Sequence, residues 1–127
     1  VLADKGQPDA AKAALQWVAE QSSDAGYQAI ARLRLAALLV EAKAYDEALK
    51  QLAADVPKEF QALAADRRGD VYNLQGKKAE AKAEYTKAWQ GLAAEAEYRT
   101  LVEVKLTALG VDVQGLKPAA PAESVKS

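Results

Sequence analysis

The stretch Gly69-Asp-Val-Tyr-Asn-Leu-Gln-Gly-Lys-Lys-Ala-Glu-Ala-Lys-Ala-Glu-Tyr-Thr-Lys-Ala-Trp89 places small residues at Gly69, Ala81 and Ala88 and large aromatics at Tyr72 and Tyr85. Gln75-Gly76 divides it in two. In each half a small residue precedes a large one by three or four positions, the spacing that puts both on one face of an α-helix. A small residue lets a neighbouring helix approach closely, and the large one fills the space beside the contact. The segment reads as the seam of a helical hairpin, with Gly76 as a helix stop of the left-handed glycine type.

Composition agrees. Thirty residues are alanine and eight are aromatic, which favours closely approaching helices over strands. With 127 residues, half of them apolar, the chain is long enough to bury a core. An all-α protein is expected. Seventeen basic residues stand against eighteen acidic ones, so the footprint of a nucleic-acid binder is absent. The sequence has no cysteine, which removes disulfide and thiolate chemistry and suits a cytosol or a periplasm equally. It begins Val1-Leu2-Ala3-Asp4-Lys5-Gly6 and has no methionine. No window reaches the roughly 18–20 apolar residues of a membrane span, so any anchor is expected upstream of Val1.

At helical period the chain divides into segments of about 8–22, 25–42, 45–54, 57–74, 77–92 and 94–109. Pro8 suits a first helical turn. Ser22-Ser23-Asp24 offers capping oxygens. The second segment carries Ile30, Leu33, Leu35, Leu38 and Leu39 over a broad apolar surface, which calls for cover on more than one side. Residues 1–110 are expected to form one helical domain. Residues 111–127, rich in proline and poor in apolar bulk, are expected as a flexible tail.

Shifting the sequence by 33 residues superposes Ala36 on Gly69, Leu39 on Tyr72, Ala48 on Ala81 and Leu52 on Tyr85. This pattern resembles the tetratricopeptide repeat, whose period is about 34 residues. The expected fold is therefore a tetratricopeptide-like helical-hairpin solenoid with a C-terminal capping helix. The first unit matches less well, with Lys43 at the place of the turn glycine and Asp55 at that of the last small residue. Gly6 to Leu15 reads as the second helix of a further repeat cut in mid-unit, with Val1 to Gly6 as the last turn of its lost partner. Apolar surface left by such a cut suggests a homodimer through the N-terminal end.

Catalytic signatures are missing. The sequence has no histidine, so a triad lacks its base and the common zinc sites lack a ligand. Glycines stand singly and form no phosphate-cradling loop. Glu80 with Glu84, and Asp66 with Asp70, lie one helical turn apart, a spacing that reads more readily as a solvated acidic face than as a cation site. No catalytic residue, metal or cofactor is assigned. Arg32, Arg34, Arg67 and Arg68 recur as basic pairs on two first helices, where local salt bridges with acids such as Asp66 and Asp70 are expected. Trp17 and Trp89 read as packing or rim residues.

In repeats of this kind the first helix of each pair lines the concave side. That side would carry Ile30, Leu33, Ala37 and Val40 from one unit and Leu63, Asp66, Asp70 and Asn73 from the next. A groove with an apolar and an acidic part suits an amphipathic helix or an extended segment of a protein partner. The chain's own last helix, through Tyr98, Leu101, Val102 and Leu106, is an equally good occupant. A carboxylate clamp, known in some tetratricopeptide proteins, is not expected where Leu33, Ala37, Asp66 and Asp70 stand.

A closer resemblance covers about Val1 to Leu109. Ala31-Arg-Leu-Arg-Leu-Ala-Ala-Leu-Leu, Tyr45-Asp-Glu-Ala-Leu, Phe60-Gln-Ala-Leu-Ala-Ala-Asp-Arg-Arg-Gly-Asp-Val-Tyr and Val104-Lys-Leu-Thr-Ala-Leu resemble the C-terminal part of the YfgM-type family. The resemblance implies a non-catalytic, periplasmic tetratricopeptide-like domain of an inner-membrane ancillary subunit of the SecYEG translocon. It implies as partners the translocon, periplasmic chaperones or exported chains, and membrane attachment only through an upstream anchor. The repeat pattern alone also admits a scaffold for pilus or outer-membrane assembly, or a cytoplasmic adaptor.

Overall fold

Capping chemistry and left-handed turns set the helix limits in the computed structural model. It describes residues 2–53, 56–93 and 96–116, with side chains from Ala10 onward. Among these residues are six α-helices and one 3₁₀ turn. They are α1 (Leu2–Gln21), α2 (Ala25–Glu41), α3 (Tyr45–Ala53), α4 (Lys58–Leu74), α5 (Lys78–Gly91) and α6 (Glu97–Ala108), with the 3₁₀ turn at Val113–Gly115. The all-α class and the hairpin order are as the sequence predicts. Pro8, expected to open the first helix, lies inside α1 instead. It falls within the first two turns, where it withholds one amide from the bond to residue 4.

Asp24 caps α2 by accepting from the Tyr27 amide at 3.0 Å, meeting one of the donors a helix start leaves open. Three helix ends share one closing pattern. The amides of Ala44, Lys77 and Val111 each donate five residues back, to the carbonyls of Leu39, Tyr72 and Leu106, at 2.8, 2.8 and 2.9 Å. The residue before each is left-handed: Lys43 at φ 61°, Gly76 at 79° and Gly110 at 86°. This is the Schellman closure, which glycine adopts without a Cβ penalty. Lys43 makes the same turn with a side chain.

The chain divides into two compact units, the first ending at Phe60 and the second beginning at Gln61, so the dividing point falls within the stretch expected as one domain. In the first, α1 and α3 pack on α2. Its core is Ala19, Ala29, Ala31, Leu35, Ala36, Leu39, Ala48 and Leu52. Alanine predominates there, so the helices approach closely and little bulk is needed to fill the space between them. Arg32 joins the three helices, donating to the Ala19 carbonyl at 3.1 Å and to Gln51 at 3.5 Å.

In the second unit the core is Ala65, Ala81, Tyr85, Ala88, Val102, Leu106 and Val113. Gly69 is buried because the Tyr85 ring lies on it. A Cβ built on Gly69 would stand 2.6 Å from two ring carbons, well inside contact distance. The smallness of position 69 and the bulk of position 85 are one packing decision. The expected tail enters the fold at its start: Val111, Val113 and Leu116 pack against this core, and Asp112 accepts from the Gln114 amide at 2.9 Å. Residues 117–127, also assigned to that tail, lie outside the described residues.

Candidate protein-interaction surfaces

Asp66 and Asp70 lie one turn apart on α4 and share one cation from α6. Asp66 is fully buried. It accepts from Lys105 Nζ at 3.0 and 3.1 Å, and its second oxygen also accepts from the Tyr98 hydroxyl. Asp70 accepts from the Tyr85 hydroxyl at 2.5 Å and lies 3.1 Å from Lys105 Nζ. Arg67 reaches Asp70 at 3.9 Å. The acidic pair is thus a neutralised internal network rather than a solvated face, as a buried carboxylate requires.

Burial and the hydrogen bond to Asp70 push the Tyr85 hydroxyl far above its usual range. Burial and the bond to Asp66 do the same for Tyr98. Both phenols stay protonated and donate. Among the described residues no group of three or more His, Cys, Asp or Glu could hold a metal ion.

The predicted groove residues have different fates. In the second unit Leu63 is half-buried, Asp66 and Asp70 are taken up by α6, and Asn73 accepts from Lys78 at 2.9 Å. In the first unit Ala37 is exposed, Leu33 and Val40 are half-buried, and Ile30 lines a trough between α1 and α2. Tyr98, Val102 and Leu106 of α6 face inward as expected of a capping helix, but Leu101 is exposed.

The recurring arginines also diverge. Arg68 pairs with Glu84 at 3.0 Å rather than with Asp66 or Asp70. Arg34 lies at the trough, with no ion pair among the described residues. The trough holds about 630 Å³. Trp17 and Tyr27 flank it, each 65% exposed, so Trp17 is a rim residue. Trp89 is half-buried beneath the Arg99 guanidinium, 3.8 Å from its ring centre.

Sequence reasoning missed Lys105 as the partner of the acidic pair. Its signal was the seven-residue spacing from Tyr98 to Lys105, which places both on one helix face. Of the trough aromatics, Trp17 reads from the sequence as a packing or rim residue and Tyr27 is not singled out.

Helical hairpins recurring every 33 residues on a seam of small residues define a helical-repeat protein, a class whose members present surfaces to other proteins. The chain belongs to the tetratricopeptide repeat-like domain family, whose model matches residues 1–111. It is 35% identical over 106 residues to the ancillary SecYEG translocon subunit of Neisseria gonorrhoeae (strain ATCC 700825 / FA 1090), covering 84% of this chain and 51% of that protein. The chain therefore spans about half the length of the curated relative it matches. No solved structure matches it. The relative agrees with the YfgM-type resemblance read from the sequence, and family and relative together support a protein-interaction role. Among the described residues no helix is long and apolar enough to cross a membrane.

Proposed function

We propose that this chain is the protein-binding part of an ancillary translocon subunit, acting without catalysis on the periplasmic side of the bacterial inner membrane and linking SecYEG to periplasmic chaperones. The observation that carries this reading is the 35% identity to an ancillary SecYEG translocon subunit over 84% of the chain. The side-chain arrangement supports one choice of contact surface. In the second unit α6 occupies the acidic positions Asp66 and Asp70. The partner face assigned to the first unit is therefore the α2 surface with Leu33, Ala37 and Val40, where Ala37 is exposed. An apolar face of this kind suits the apolar side of an amphipathic segment.

The test is a photo-crosslinking residue at Ala37 in the full-length parent protein, with captured proteins identified by mass spectrometry from intact cells. Translocon subunits or periplasmic chaperones among the products support the reading. Products that contain neither, from a parent shown to be folded and correctly located, refute it.

A further inference from the structure

The trough between α1 and α2 and the outer face of α6 carry complementary patterns. On α2, Tyr27, Ile30 and Arg34 form one stripe, because steps of three and four residues return to the same helix face. Tyr27 is 65% and Ile30 37% exposed, and Arg34 is exposed beside them. On α6, Glu97, Leu101 and Val104 form another stripe by the same spacing. Leu101 is 47% and Val104 59% exposed, and Glu97 is exposed. Neither Arg34 nor Glu97 has an ion pair among the described residues.

The two spacings match when the helices run in opposite directions. From Arg34 back to Ile30 is four residues and to Tyr27 seven; from Glu97 forward to Leu101 is four and to Val104 seven. At about 1.5 Å per residue, both patterns place apolar groups roughly 6 and 10 Å from the charge. In that register Glu97 meets Arg34, Leu101 meets Ile30 and Val104 meets Tyr27, while Trp17 of α1 closes the side of the trough. The trough residues include Trp, Tyr and Arg, the side chains that dominate interface energetics when a partner covers them. Among the described residues no acidic one lines the trough, so an acid-headed apolar helix is the ligand its charge selects.

We propose that the α1–α2 trough receives α6 of a second copy of this chain, antiparallel to α2, with the Glu97–Arg34 pair fixing the register. The contact is heterologous, joining two different surfaces, so a pair joined by one contact keeps a free trough on one copy and a free α6 stripe on the other unless the assembly closes. The inference goes beyond the translocon reading and does not rest on it, since neither its residues nor its test involves a translocon or a chaperone.

The experiment is sedimentation equilibrium of the 127-residue chain up to about 1 mM, where a contact worth about 4 kcal/mol is half populated. The weight-average mass is expected to rise with concentration. Arg34→Glu and Glu97→Arg alone each weaken association about tenfold or more, by setting like charges opposite one another. Association returns in the double variant, which restores opposite charges at every contact, and also in an equimolar mixture of the two single variants, where contacts between unlike variants regain them in both directions. Unchanged circular dichroism of these surface variants shows that the fold is intact. A chain that stays monomeric throughout overturns the proposal. So do single variants that associate like the parent, or a mixture that does not recover. Binding of an unrelated acidic helical peptide by a strictly monomeric chain would assign the trough to another protein and equally overturn self-association. Capture of translocon subunits from Ala37 decides the other reading independently.

Discussion

The α2–α3 and α4–α5 hairpins share a seam and a turn but differ in what covers them. Ala36 and Gly69, Ala48 and Ala81, and Leu52 and Tyr85 occupy equivalent places and all are buried. Each first helix ends in the same closure, at Lys43 and at Gly76. Off the seam the likeness stops. Where the second hairpin has Asp66 and Asp70, gripped by Lys105 of α6, the first has Leu33 and Ala37. Residues on the seam build the repeat, and residues beside it decide whether α6 can grip the hairpin.

The largest expected effect comes from breaking the seal. Lys105→Met leaves fully buried Asp66 without its cation, and loss of one partner of a buried pair costs about 3–5 kcal/mol. The measurement is denaturant unfolding of the second unit, followed by Trp89 fluorescence in a Trp17→Phe background. Combining Asp66→Leu, Tyr98→Phe and Lys105→Met places at position 66 the leucine that the first hairpin has at Leu33 and removes the two α6 groups that meet Asp66. It is expected to recover most of that loss, because apolar replacement of a buried charge together with its partners is often neutral or stabilising, and half-buried Asp70 keeps Arg67 nearby. A triple variant no more stable than Lys105→Met would mean that the network does more than neutralise Asp66.

Next is the seam itself. Gly69→Ala drives a methyl into the Tyr85 ring, which the hydroxyl bond to Asp70 holds in place. Overpacking of this kind costs about 1–3 kcal/mol. Tyr85→Leu reproduces the Ala36–Leu52 pairing of the first hairpin, so Gly69→Ala should cost far less in that background. A double-mutant cycle reads the coupling directly, and additive effects would show that the two positions do not share one space.

A smaller effect separates the hairpins by pH. In the unfolded chain tyrosine loses its proton near pH 10, whereas Tyr85 and Tyr98 are held protonated well above that by burial and carboxylate acceptors. Above about pH 10 the unfolded state therefore binds fewer protons than the folded one, and stability falls as pH rises. Their contribution is fully present below that pH. Denaturant midpoints from about pH 8 to about pH 11 should show the fall in the second unit, with a shallower slope in Tyr98→Phe. Equal slopes in parent and variant would remove Tyr98 from the account.

How much of this was legible follows from the range of each interaction. Helix period, the cap at Asp24 and the small-to-large spacing at 69 and 72 are local, and they located α2 to α6 to within a few residues. The fate of Asp66 was not local. A carboxylate one turn from another reads as a solvated face until Lys105, 39 residues away, is known to point at it. Residues 111–116 read as one with the proline-rich tail that follows them, yet Val111, Val113 and Leu116 each find apolar contact in the second core. Pro8 misled for the opposite reason, since a strong local preference for helix starts gave way to a helix that begins earlier.

The smallest expected effect tests the turns. Lys43 and Gly76 sit at the same place in the closure, with φ of 61° and 79°, but only glycine adopts that conformation without crowding its own Cβ against the backbone. The crowding costs roughly 1–2 kcal/mol, and the greater freedom of glycine in the unfolded chain offsets part of that gain. Lys43→Gly should therefore stabilise the first unit by about 0.5–1 kcal/mol. Trp17 fluorescence in a Trp89→Phe background provides the readout. The reciprocal change, Gly76→Lys, should destabilise the second unit by a similar amount, because a Cβ there meets no atom within 4 Å and the backbone conformation alone carries the cost. If Lys43→Gly is instead destabilising, the lysine side chain contributes something to the first turn that its geometry does not record, and the two turns are alike only in backbone.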